Sequence, residues 1–133
     1  DRDREAACTK SIVEDLRIKA QNLEQPVGTL SGGNQQKVVL GKMLLTQPRV
    51  LLLDEPTRGI DVGAKLEVYE LINRLTAAGQ AIVLVSSELG ELMGMSDRIV
   101  MLCEGRIGGT FDRAEATQER LLAAAMGRLG RAA

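Results

Sequence analysis

Apolar residues along this 133-residue chain follow two spacings, and their alternation outlines an architecture. Residues 5–20 carry Ile12, Val13 and Leu16 as a narrow stripe at helical spacing. Pro26 and Gly28 break residues 21–29 into a loop. Ser31, a good N-cap, and the pair Gly32-Gly33 then open a helix running to about residue 46. Its apolar set (Val38, Val39, Leu40, Met43, Leu44, Leu45) is wide enough to be largely buried, and Gln47-Pro48 ends it. Residues 50–53 read VLLL, the mark of a strand covered on both faces. A loop at 58–63 leads to a helix over 64–78 that turns Leu66, Tyr69 (or Val68), Ile72 and Leu75 inward, with Gly79 as its natural stop. A second buried strand is expected at 81–85, a short helix at 88–94 and a third strand at 98–103. Glu104-Gly105 then turns the chain into a return strand at 106–111, and a final helix covers 114–126. Strand and helix alternate through the middle, which predicts an α/β fold with a parallel-sheet core.

Composition narrows the picture. One Tyr, one Phe and no Trp leave an aliphatic core, and they exclude a base-stacking nucleic-acid surface. A net charge of −1 supplies no basic field toward nucleic acid or anionic lipid. Cys8 and Cys103 lie far apart and outside any CxxC pair, so both read as free thiols of a reducing compartment. The absence of histidine removes the usual general base and the commonest metal ligand. No apolar run approaches the roughly 18 residues of a membrane span. The chain therefore reads as soluble and cytoplasmic, able to dock on a membrane protein. Its polar opening without a methionine reads as a piece of a longer chain.

Three motifs carry candidate chemistry. Asp54 and Glu55 end the first apolar strand, and ligands gather at the carboxyl ends of strands in open parallel sheets. Asp54 suits Mg²⁺ held on nucleotide phosphates, while Glu55 can orient or deprotonate a water. The blander reading is an acidic turn with Pro56 as a stop. Ser31-Gly32-Gly33 opens a helix, whose free N–H groups and dipole attract phosphate oxygens. The plain alternative is an ordinary serine cap. Gly59-Ile60-Asp61 either caps the next helix through Asp61 or contacts a facing subunit.

As an ordered set, LSGGNQQK, VLLLDEPT, GID and a strand ending in SSE resemble the ABC-transporter ATPase family. LSGGNQQK with LLLDEPTRGIDVGAK and VSSELGELMGMSDRI looks most like the C-terminal part of the second cassette of a double-cassette sugar importer ATPase, of the ribose, galactose or xylose type. The resemblance covers roughly residues 11–127. It implies a partial P-loop NTPase fold lacking the Walker A portion, with residues 1–46 as helical and signature region and 47–133 as Walker B core, hairpin and terminal helix. By the same resemblance Leu30, Ser31, Gly32, Gly33, Asn34 and Gln35 match the signature, which contacts ATP held by the opposite cassette. Asp54 lies on the Mg²⁺ side of the Walker B strand, Glu55 matches the catalytic glutamate, and Asp61 closes the D-loop. Ser87 stands where the family has a γ-phosphate-sensing histidine, which implies a poorly hydrolysing site.

Implied cofactors are ATP and Mg²⁺. Implied partners are a second cassette, membrane permease subunits and, indirectly, a periplasmic or extracellular sugar-binding protein, with no nucleic acid. The implied location is the cytoplasmic face of a bacterial membrane. These 133 residues contain no GxxxxGK[ST], so they are expected not to form a complete ATP site alone. Rival readings are a soluble, non-transport ABC ATPase and a truncated, non-catalytic piece.

Overall fold

The computed structural model describes residues 2–129 and divides into two compact units, one ending at Val85 and the other beginning at Ser86. In the first unit, α1 (Arg2–Asp15) and α2 (Gly32–Leu44) precede β1 (Val50–Asp54), α3 (Val62–Ala77) and β2 (Ala81–Val85). β1 and β2 pair in parallel, in register from Val50 opposite Ala81 to Asp54 opposite Val85. Parallel neighbours need a crossover, and α3 supplies it. The expected α/β architecture with a parallel pair at its centre is thus present.

Several expected details change. The first helix stops at Asp15, five residues short of its expected end. Ile18 N–H reaches the Val13 carbonyl, Arg17 N–H reaches the Glu14 carbonyl, and Arg17 has φ 51. This is the paired-bond helix ending that glycine normally supplies. An arginine stands there because the neighbours on either side, Leu16 and Ile18, are both buried.

β1 is not covered on both faces. Leu51 and Leu53 are buried, whereas Val50 and Leu52 are 53% and 70% exposed. Strand side chains alternate, and α3 closes only one face of a two-stranded sheet. Along α3 the buried residues are Val68, Leu71 and Ile72, so the inward face is rotated and Leu66 lies outside.

α2 departs most from its pattern. Its buried residues are Gly33, Lys37, Leu40 and Gly41, while Val39, Met43 and Leu45 are exposed. A Cβ at Gly41 would come within 2.6 Å of Ile12 Cγ2 on α1. Of the expected apolar set only Leu40 is fully buried; the rest of the buried face is two glycines and one lysine.

The second unit holds α4 (Leu89–Met95), a hairpin of β3 (Arg98–Cys103) and β4 (Arg106–Asp112), and α5 (Gln118–Ala125). Glu104 and Gly105, at φ 47 and 74, make a two-residue turn with both central residues left-handed. Ile99, Phe111, Leu121 and Ala124 form the core, with Leu89, Leu92, Met93, Met101 and Ala116 packed around it. The final helix begins at Gln118, later than expected, because Thr117 caps it by accepting from Arg120 N–H. Residues Arg113–Glu115 form a separate 3-10 turn.

Candidate functional site

The chain enters α2 through Leu30 and Ser31, both extended. Ser31 occupies the N-cap position but its side chain caps nothing. Its Oγ instead accepts from Asn34 Nδ2 at 2.9 Å. The other end of that amide, Asn34 Oδ1, accepts Lys19 N–H at 2.9 Å, which fixes the amide's orientation. Gln35 Nε2 donates to the Leu30 carbonyl at 2.8 Å, and Gln35 N–H makes the first helical bond to Ser31.

The amides of Asn34 and Gln35 thus turn back onto the chain and hold the entry to the helix. Intrahelical bonding leaves the N–H groups of Gly32, Gly33 and Asn34 without an acceptor, and Ser31 does not take them. A hydroxyl that accepts from Asn34 can still donate its own hydrogen. The result is an uncapped helix N-terminus with a serine donor beside it, an arrangement suited to phosphate oxygens.

The two signature glycines differ. Gly32 is exposed, and a Cβ there would sit 3.5 Å from Ile60 Cγ2, an ordinary contact. Gly33 is buried, and a Cβ there would fall 2.5 Å from the Ala64 Cβ. Gly33 is a glycine because α2 crosses α3 there at backbone distance. Gly32 leaves the outer side open.

The structure therefore brings the signature turn beside the loop 59–61. Gly59 takes φ 75. Asp61 follows the plainer expectation: its Oδ1 accepts Ala64 N–H at 3.0 Å and caps α3.

Asp54 stands exposed at the end of β1. Glu55 follows with φ 48, left-handed and half-buried. Its N–H extends the ladder to the Val85 carbonyl at 2.8 Å, and its own carbonyl accepts Arg58 N–H. Pro56 and Thr57 behind it are buried. A non-glycine residue in this conformation is held by its surroundings at some cost, here by the ladder bond and the packed Pro-Thr pair. The turn presents Asp54 outward and rotates Glu55 away from the strand direction.

Ser87 belongs to the second unit and is exposed; the adjacent Ser86 Oγ accepts Glu88 N–H at 3.0 Å. Among the described residues, no three His, Cys, Asp or Glu side chains group to hold a metal ion by themselves. Also among them, no helix is long and apolar enough to cross a membrane.

Comparison with known proteins agrees with the fold. The family described as ABC transporter matches residues 2–58. The fold resembles the dimeric bacterial ABC transporter cassette MJ0796, with a TM-score of 0.71 at 21% identity over 80% of this chain and 46% of that one. The same cassette in a post-hydrolysis state bound to ADP and Pi gives a TM-score of 0.72, at the same identity and coverage.

Residues 2–58 thus belong to the ABC transporter family, and the chain as a whole is similar to ATP-binding proteins of sugar importers. The chain is 67% identical to the xylose import ATP-binding protein XylG of Moorella thermoacetica, over 87% of this chain and 23% of that protein. It is 57% identical to the ribose import ATP-binding protein RbsA of Rhodopirellula baltica, over 96% of this chain and 25% of that protein. The chain thus spans about a quarter of the length of these relatives.

One residue was undervalued in the sequence. Lys37 enters the sequence reading only as the last residue of LSGGNQQK, yet it is buried, donates to the Arg17 carbonyl at 3.2 Å and pairs with Glu67. Its signal was its spacing, four residues after Gly33 and four before Gly41, on the face those two glycines mark for close packing.

Proposed function

We propose that this chain is part of the ATP-binding protein of a bacterial sugar importer. In this reading, ATP binding and hydrolysis energise passage of a monosaccharide such as ribose, galactose or xylose through a membrane permease. Residues 1–46 supply the helical and signature region, and 47–133 the Walker B core, hairpin and terminal helix of a second cassette. The observation that carries the reading is the signature turn. Ser31 and the N–H groups at the start of α2 are held open by Asn34 and Gln35, beside the 59–61 loop.

The division of labour follows from the residues. Leu30, Ser31, Gly32, Gly33, Asn34, Gln35 and Asp61 serve nucleotide held by an opposing cassette. Ser31 and the helix N-terminus are the direct donors, while Asn34 and Gln35 act by shaping the turn. Asp54 and Glu55 serve nucleotide whose phosphate loop lies outside these 133 residues. Mg²⁺ keeps several waters and takes one or two carboxylates beside substrate phosphates, so a single exposed carboxylate at a strand end fits it. Asp54 would hold that ion, which would neutralise phosphate charge. Glu55 orients the attacking water. By the sequence resemblance alone, Ser87 stands in place of the family's γ-phosphate-sensing histidine and implies weak hydrolysis. The partners are a second cassette, permease subunits and an external sugar-binding protein, and the location is the cytoplasmic face of the membrane.

The test is Gly32→Asp in the full-length protein assembled with its permease. A Cβ at Gly32 meets only an ordinary contact, so the fold persists, but a carboxylate there repels phosphate. Transport-coupled ATP hydrolysis is expected to be abolished while the melting temperature is kept. Wild-type turnover and uptake in this variant would overturn the reading.

A further inference from the structure

Lys37 lies on the buried face of α2, where a pattern of aliphatic residues would place a methyl-rich side chain. Burying an ammonium is costly unless partners compensate it. Two do. The Arg17 carbonyl accepts from Nζ at 3.2 Å, at the left-handed residue that ends α1, and the Glu67 carboxylate on α3 closes an ion pair. Glu67 itself is half-exposed, at 44% of its side chain. Arg17, Glu70, Leu71 and Arg74 line the small cavity around the pair.

The pair has a neighbour one turn away. Gly33 precedes Lys37 by four residues on α2, and Ala64 precedes Glu67 by three on α3. The contact of Gly33 with Ala64 and the pair of Lys37 with Glu67 therefore run in step along one seam between the helices. At its open end the seam starts from the two features that serve a partner's nucleotide, the signature turn and the 59–61 loop.

Apolar replacement of a buried ion pair is often neutral or stabilising, so stability alone does not account for a lysine here. What a methyl-rich side chain lacks is direction. Lys37 reaches a carbonyl on one segment and a carboxylate on another, and so fixes the rotation of α2 relative to both.

We propose that Lys37, paired with Glu67, is a positioning residue that locks the phosphate-facing end of α2 to the 59–61 loop and α3, so that both reach the opposing nucleotide as one body. This rests on the signature reading above. The latch acts through Ser31 and the helix N-terminus and touches no substrate.

The experiment compares Lys37→Met, Glu67→Gln, the double variant and Lys37→Arg with Gly32→Asp, in the full-length protein assembled with its permease. Steady-state ATPase kinetics and melting temperatures are read for each. Lys37→Met and Glu67→Gln are each expected to lose about tenfold or more in kcat, because a misplaced donor weakens transition-state stabilisation. The single variants should lose some melting temperature at neutral pH, since each leaves one partner uncompensated, but kcat read well below every midpoint should still fall. The double variant should be no worse than the worse single one, and Lys37→Arg should retain most of the activity. Glu67→Gln, a neutral isostere at a half-exposed position, keeps the test open if Lys37→Met does not fold. Wild-type kcat in Glu67→Gln and in every folded Lys37 variant, with Gly32→Asp inactive, would overturn the latch alone. Losses that merely track falling melting temperature would overturn it too. An active Gly32→Asp would overturn the signature reading beneath it.

Discussion

Gly32 and Gly33 are adjacent and identical, yet the surroundings of each require glycine for a different reason. Gly33 lies under Ala64, with room for no Cβ, whereas Gly32 faces outward past Ile60. Gly33→Ala is therefore expected to destabilise the protein by about 1–3 kcal/mol through overpacking. Adding Ala64→Gly should recover most of that, although Ala64→Gly alone costs up to about 1 kcal/mol of helix propensity. Gly32→Ala should leave the unfolding midpoint almost unchanged. Chemical denaturation of the four variants decides the matter, and additivity in the double variant would refute the contact.

The sequence marks both glycines as phosphate-approach residues and cannot separate them, because Ala64 meets Gly33 only once α2 and α3 cross. Asn34 and Gln35 show the same limit. Their place in the motif is legible, but that both amides point back to Leu30, Ser31 and Lys19 is a property of the folded turn. For Asp61 the cap was one of two readings the sequence offered, and it is the one with only local geometry to satisfy, an aspartate before a helix taking an N–H three residues on.

At the scale of elements, hydrophobic periodicity located each described α-helix and strand, since apolar runs and breakers act locally, but neither of the short 3-10 turns at Val27–Thr29 and Arg113–Glu115. It erred where packing was decided by something other than apolarity. α2 buries Leu40 as its pattern implies, but it also turns Gly33, Lys37 and Gly41 inward, because close approach to α1 and α3 selects small residues and a paired lysine at those positions. α1 ends early because burying Leu16 and Ile18 outweighs the cost of a left-handed Arg17.

The seam between α2 and α3 also has a pH signature. The hydrogen bond from Lys37 is the main cause holding the Glu67 carboxyl below its ordinary pKa, aided by the charges of Lys37, Lys19 and Arg17 and opposed by burial. A lowered folded pKa means that the unfolded chain binds the proton more readily, so stability rises with pH across this window. The contribution is complete above the unfolded glutamate value of about 4.3 and is lost as pH falls through the lower folded value. Melting temperatures of wild type and Glu67→Gln should accordingly differ most near neutral pH and converge in acid. A gap that stays constant down to about pH 3 would show that the pair contributes no pH-dependent stability.

At the scale of the whole molecule, the two units bury different kinds of sheet. The hairpin of the second unit places Ile99 and Phe111 in its core with Leu121 and Ala124 of α5, and α5 approaches so closely that a Cβ at Gly108 would lie 2.3 Å from the Ala124 carbonyl oxygen. The parallel pair of the first unit is covered on one face only. Its other face exposes Val50 and Leu52 on β1 and Val83 and Val85 on β2, each at least half exposed. The register sets Leu52 directly opposite Val83, so the four form a continuous apolar strip ending at Asp54.

Exposed apolar strips on short sheets with open edges drive association between chains. The 133-residue chain is therefore expected to self-associate as its concentration rises. Leu52→Lys with Val83→Thr should reduce light scattering while shifting stability by no more than about 0.5 kcal/mol, because neither residue is packed. A large fall in melting temperature would show that the strip is covered within the chain. Unchanged scattering at unchanged stability would move the association to the unpaired backbone edges, where a proline at Val50 on β1 should then suppress it.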